Sequence, residues 1–251
     1  MDLERYRLAE AEKARTEDLV LHLPRGRASV LDIGARDGHF SRILTKYFTT
    51  VTALDLEKPS FECPGMVAIA GDVTKLEFPD NSFDCVFCVE VLEHISEVQR
   101  ACSEISRVAK HEIVIGVPFR QDLRVGRTTC RTCLNRNPPW GHVNSFDESK
   151  LLSLFPRLEV ISKSFVWTNK EATNAISTFL MDRAGNPWGT YEQEEPCICC
   201  GARLVSPLME GNIWQKACAG LAVRINCAQA LWLRPHANWI HMIFSKSNRV
   251  D

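Results

Sequence analysis

The sequence predicts an open α/β sheet of mostly parallel strands, and three observations carry that expectation. First, Val30-Leu31-Asp32-Ile33-Gly34-Ala35-Arg36-Asp37-Gly38-His39-Phe40 passes from β-favouring residues through a glycine-bounded turn. It then enters a segment with Phe40, Ile43, Leu44, Tyr47 and Phe48 at helical spacing, which reads as strand, tight loop and helix. Second, short apolar runs recur at 51–55, 66–70, 85–89 and 111–118, with an amphipathic helical pattern over 98–108. Third, 251 residues with an ordinary 45% hydrophobic content can bury a large core.

Composition narrows the function classes. The 30 basic and 31 acidic residues give a net charge of −1, and the cations are scattered, which argues against a nucleic-acid partner. The start, Met1-Asp2-Leu3-Glu4-Arg5-Tyr6-Arg7, is too charged for a signal peptide, and no apolar run is long enough for a membrane span. Eleven cysteines, an odd number, suit reduced thiols and a metal better than a disulfide framework, so a cytoplasmic location is expected.

The opening turn lies where a ligand meets the carboxyl end of a strand. A dinucleotide fingerprint started at Gly34 would need glycines where Arg36 and His39 stand, and the Gly-Lys-Ser/Thr end of a P-loop is absent. Asp55 ends the second apolar run, where a carboxylate can accept both hydroxyls of a ribose. A third run leads into Gly71-Asp72-Val73, and Phe78-Pro79-Asp80-Asn81-Ser82-Phe83-Asp84 introduces the fourth.

Taken in order, these motifs resemble the class I S-adenosylmethionine-dependent methyltransferases, in their type 11-like group, densely over 30–118 and with interruptions over 27–246. The resemblance implies a Rossmann-like, seven-stranded sheet with a reversed last strand, and S-adenosylmethionine as cofactor. It places Asp32 near the donor's amino-acid moiety and wraps the backbone of Gly34, Ala35 and Gly38 around it. Asp72 would accept from the adenine amine with Val73 on the ring, while Asp55, Leu56 and Val89 complete the donor-binding set. Arg36 departs from the pattern, standing where the family usually has glycine.

The rest of the chain elaborates this core. Residues from about 3 to 23 read as a charged helix that finishes the core, ended by Pro24 and Gly26. Glu90-Val91-Leu92-Glu93-His94 follows the fourth strand and reads either as a metal set or as a helix-orienting cap. The cap is preferred, since a further His ligand is not evident. Residues 119–142 and 168–205 break the pattern as two irregular insertions forming a lid on a single domain, with the core at about 27–118, 143–167 and 206–246. A helix is expected over 150–155, a strand over 158–167, a helix over about 207–233, and a last strand over 239–246. His142, in the Gly141-His142-Val143 phrase, is the candidate general base, with a structural histidine as the other reading.

Each insertion carries a C-x-x-C pair. Cys130, Cys133, Cys197 and Cys200 together supply the four thiolates of a structural zinc site, leaving Cys199 as a spare. Cys63, Cys85, Cys88, Cys102, Cys218 and Cys227 read as small buried hydrophobes. The expected function is methyl transfer to a small-molecule, glycan- or lipid-linked acceptor. The competing expectation is a non-catalytic, zinc-stabilised scaffold that binds S-adenosylmethionine or a protein partner.

Overall fold

The computed structural model describes residues 6–61, 63–207 and 211–246. The first three residues of the expected N-terminal helix, 3–5, lie outside these. By their contacts the residues form two compact units. One, the sheet unit, comprises Glu10–Phe119, Phe146–Trp167 and Asn238–Asp251, and the other, the insertion unit, comprises Met1–Ala9, Arg120–Ser145 and Thr168–Ala237.

In the sheet unit, helix α1 (Glu10–Leu21) precedes β1 (Ser29–Ile33), α2 (His39–Leu44), β2 (Thr50–Asp55), β3 (Met66–Ala70) and β4 (Phe83–Val89). Helix α3 (Val98–Val108) and β5 (Ala109–Pro118) follow, and the unit resumes with α4 (Glu148–Leu154), β8 (Glu159–Asn169) and β9 (His236–Ser245). The seven strands stand in the order β3-β2-β1-β4-β5-β9-β8. The β1–β2, β1–β4, β2–β3 and β4–β5 pairs are parallel, whereas β9 runs antiparallel to β5, with His241 opposite Gly116. The expected sheet with its reversed last strand is therefore present.

Successive strand residues point to opposite faces, and the core divides accordingly. Leu31, Ile33, Val86, Ile113 and Ile115 pack with Ile105 of α3 and Leu151 of α4. Val30, Val51, Phe87, Val114 and Ile243 pack with Leu19 of α1 and Leu44 of α2. Asp147 caps α4, its carboxylate accepting the Lys150 N–H at 2.8 Å.

The insertion unit holds a small hairpin, β6 (Thr128–Thr129) against β7 (Arg136–Asn137), and two packed helices, α5 (Ala175–Arg183) and α6 (Ile213–Ala230). Two expectations need correction here. The stretch read as irregular contains α5, which Asn174 and Ser177 start with a reciprocal capping box. Residues 206–237, assigned to the core, group instead with the insertion unit because α6 finds its apolar partner in α5.

Candidate active site

β1 delivers the chain into a turn with three consecutive commitments. Gly34 has φ +77°, Arg36 φ +46° and Gly38 φ +79°, all left-handed. A Cβ on Gly34 would lie 2.3 Å from Val91 Cγ2, and one on Gly38 would lie 2.5 Å from the Phe61 ring, so glycine is required at both for space as well as for backbone angle. Arg36 adopts the left-handed form without glycine, its N–H donating to Asp55 Oδ2 at 2.8 Å. The backbone N–H groups of Gly34 and Ala35 both reach the Leu54 carbonyl, at 2.8 and 3.1 Å. The ends of β1 and β2 are thus tied into one rim.

On that rim Asp55 also accepts the Leu56 N–H at 2.7 Å, and the Leu56 side chain beside it is exposed. Asp32 is buried, and the Ser41 hydroxyl of α2 donates to it. Burial pushes the Asp32 carboxyl up to about 7; the Ser41 hydrogen bond opposes this and the Asp55 charge adds to it. Asp72 closes the turn after β3 by accepting from both the N–H and the hydroxyl of Thr74, each at 2.8 Å, and Val73 is buried next to it. Val89, the last residue of β4, is buried against Gly116. Asp32, Gly34, Ala35, Gly38, Asp55, Leu56, Asp72, Val73 and Val89 all belong to the sheet unit and stand at or just beyond the carboxyl ends of β1 to β4.

A buried polar network behind this rim was missed in the sequence. Glu12, Arg15 and Asp18, three residues apart on α1, share one face of that helix. Arg15 is only 5% exposed; it pairs with Glu12 at 2.6 Å and Glu90 at 3.2 Å, and its guanidinium lies over Phe40 and Trp239. Glu90 follows β4 at φ +58°, and burial raises its pKa while Arg15 restrains the rise. Glu93 is buried completely, and burial together with the Glu90 charge pushes its pKa well above the carboxylate range. Glu90 precedes the 3-10 turn Leu92–His94, so the two glutamates do not share one helical turn. Asp18 holds the buried His241 through Nδ1 at 2.6 Å, and burial lowers the imidazole pKa. The signal available was the three-residue spacing of opposite charges on a helix read as a finishing element.

His142 belongs to the insertion unit, where it caps the 3-10 turn Pro139–Gly141. Its Nδ1 donates to Gln121 Oε1 at 2.6 Å.

The same unit brings the two C-x-x-C pairs together, although Cys133 and Cys197 are 64 positions apart in the sequence. The Sγ atoms of Cys130 and Cys200 are 3.6 Å apart, those of Cys133 and Cys197 3.5 Å, and all four lie within 4.8 Å of one another. A tetrahedron with metal–sulfur bonds near 2.3 Å has edges of about 3.8 Å, so the cluster has metal-binding dimensions. Each knuckle turns the same way: Leu134 N–H returns to the Cys130 carbonyl at 2.9 Å and Gly201 N–H to the Cys197 carbonyl at 2.8 Å, both residues left-handed. Burial opposes ionisation of Cys197, yet the N–H groups of Cys199 and Cys200 and the neighbouring thiols bring its pKa down to about 6. Of the other cysteines, Cys85, Cys88 and Cys102 are buried as expected. Cys227 and the spare Cys199 are exposed, and Cys63 and Cys218 are half-buried, since α6 and the turn before β3 lie at the surface.

Comparison with known proteins bears on the sheet unit. Residues 31–114 match the model of a methyltransferase domain. An uncharacterized methyltransferase, YcgJ of Bacillus subtilis, is 32% identical over 113 residues, covering 39% of this chain and 45% of the relative. A sterol 24-C-methyltransferase of Gibberella zeae is 33% identical over 100 residues, covering 35% of this chain and 26% of the relative. The chain thus spans less than half the length of these curated relatives. Among solved structures, a putative methyltransferase of Bacillus halodurans aligns over 92% of this chain and 97% of its own, with a TM-score of 0.59 and 14% identity. That likeness is one of fold. Among the described residues, no helix is long and apolar enough to cross a membrane.

Proposed function

We propose that this chain, whose residues 31–114 match a methyltransferase-domain model, is a class I S-adenosylmethionine-dependent methyltransferase that transfers the sulfonium methyl group to a small-molecule, glycan- or lipid-linked acceptor. The observation that carries the reading is the rim joining β1 to β2, where the glycine turn and the Asp55 carboxylate are hydrogen-bonded into one structure. Each Asp55 oxygen accepts one backbone N–H and retains a second lone pair for a ribose hydroxyl. Asp72 would take the adenine amine, with Val73 and Leu56 against the base and ribose, and Gly34, Ala35, Gly38 and Val89 would frame the methionine part. The sulfonium itself makes the methyl electrophilic, so the protein's share is to align the acceptor and exclude water.

Asp55→Ala tests the donor site. Losing charge-assisted hydrogen bonds to the ribose should weaken S-adenosylmethionine by about 1–3 kcal/mol in a folded protein. Calorimetry giving an unchanged affinity would remove Asp55 from the site.

Asp32 gives the reading a pH signature. With its carboxyl at about 7, the free protein holds a proton there in mildly acid buffer, whereas the donor's ammonium group favours the carboxylate. Donor affinity should therefore rise as pH increases through about 7, with a proton released on binding. Asp32→Asn should flatten that profile, and a wild-type affinity independent of pH would contradict the assignment.

His142 supplies the base in this reading, its ring oriented by the Nδ1 bond to Gln121. His142→Ala should lower turnover roughly a hundredfold with donor affinity intact. Near-normal turnover would assign His142 to structure. We further propose that Cys130, Cys133, Cys197 and Cys200 hold one zinc ion, whose closed set of thiolates makes it structural.

A further inference from the structure

Helix α6 of the insertion unit has one face that packs and one that does not. Ala219 and Ala222 are buried on the side toward α5. The opposite face carries Trp214, Ala217, Leu221, Arg224, Ala228 and Leu231, in alternating steps of three and four. Every one of these six is exposed. Trp214 is 77% exposed, and beyond the helix end Leu231 and Trp232 are 81% and 87% exposed. Single exposed apolar residues are ordinary, but a row running the length of an 18-residue helix, about 27 Å, is an interaction surface.

Charge identifies what it fits. Residues 211–246 contain no Asp or Glu. Lys216, Arg224 and Arg234 are exposed and have no ion pair among the described residues. Two copies of this face laid together would bring the Arg224 of each into one interface, with Lys216 and Arg234 at its edges and no acid on the helix to answer them. An anionic bilayer surface answers them directly: tryptophans settle at the interface, aliphatic side chains enter the acyl boundary, and Arg224 extends its head to the phosphates. The helix lies on such a surface rather than through it, since it does not meet the requirements of a span.

We propose that this face of α6 docks the chain onto an anionic lipid surface. The test is flotation of the full chain with vesicles of phosphatidylcholine alone and of an equimolar phosphatidylcholine–phosphatidylglycerol mixture, read alongside tryptophan emission. The chain should float with the mixed vesicles, with a preference of roughly tenfold or more over neutral ones. Its emission should shift to the blue on binding, and salt should release it. Combined Trp214→Ser and Trp232→Ser changes should abolish flotation, and Arg224→Glu, at an exposed position that leaves packing untouched, should weaken it on the mixed vesicles. Failure to float with either vesicle, equal binding to both, or a concentration-dependent dimer lost on Trp214→Ser would each overturn the proposal, the last assigning the face to a second copy of the chain.

Discussion

Cys200→Ser is expected to strip the chain of its metal and open the insertion unit while leaving the sheet unit folded. The four thiols converge from segments far apart in the sequence, and closing so long a loop costs entropy that local contacts must offset. The buried cluster around them is small, comprising Cys130, Cys197 and Leu204 with a few half-buried neighbours. Hydrogen bonds such as Ile198 N–H to Asn137 Oδ1 and Thr129 N–H to the Tyr191 hydroxyl also join the two segments, but on the proposed zinc reading the ion closes the loop and its loss should loosen this region. Purified wild type should contain about one zinc per chain by elemental analysis, as a single tetrathiolate site requires. The variant should lose it and become sensitive to protease near 120–140 and 170–200. The sheet unit should resist, because its two faces carry their own cores. A metal-free wild type with an intact insertion unit would end the zinc assignment.

Gly34→Val should remove donor binding and destabilise the sheet unit together. The residue stands at φ +77°, where a β-branched side chain is disfavoured, and its Cβ would overlap Val91 Cγ2 at 2.3 Å. Backbone strain and overpacking of this kind sum to about 2–5 kcal/mol. Rotation of the half-buried Val91 can ease the overlap, but the left-handed strain is relieved only by moving the turn, which would break the Gly34 N–H bond to Leu54 and displace the rim that carries Asp55. Thermal unfolding and calorimetry should show both losses. A variant of normal stability that still binds S-adenosylmethionine would show that the turn is not the donor's cradle.

The sheet was legible because its strands are short, apolar and bounded by turn residues: 51–55, 66–70 and 98–108 emerge as β2, β3 and α3 with boundaries within one residue. The motifs proposed to hold the donor stand where they do for the same reason, since each follows a strand end. Arg36 looked like a defect, and its left-handed backbone anchored on Asp55 shows how a non-glycine is held there. Helix α5 escaped notice because Ile176 and Phe179 are exposed, so periodicity gives little signal and the helix depends on its capping box and on α6. The Glu12, Arg15 and Glu90 network escaped because charge on a helix ordinarily means solvent. Here Arg15 sits between Glu12, one turn away on the same helix, and Glu90 beyond β4, and only the second of these pairings has no local pattern to reveal it.

Exposing the purified protein to methyl-labelled S-adenosylmethionine, first alone and then with a cell extract, tests the proposed activity most directly. The expected result is saturable binding of one donor per chain, followed by S-adenosylhomocysteine and a labelled product in the extract, both reduced in Asp55→Ala. Absence of donor binding by the folded wild-type protein would contradict the account, and binding without any labelled product in extract would leave a donor-binding scaffold in place of an enzyme.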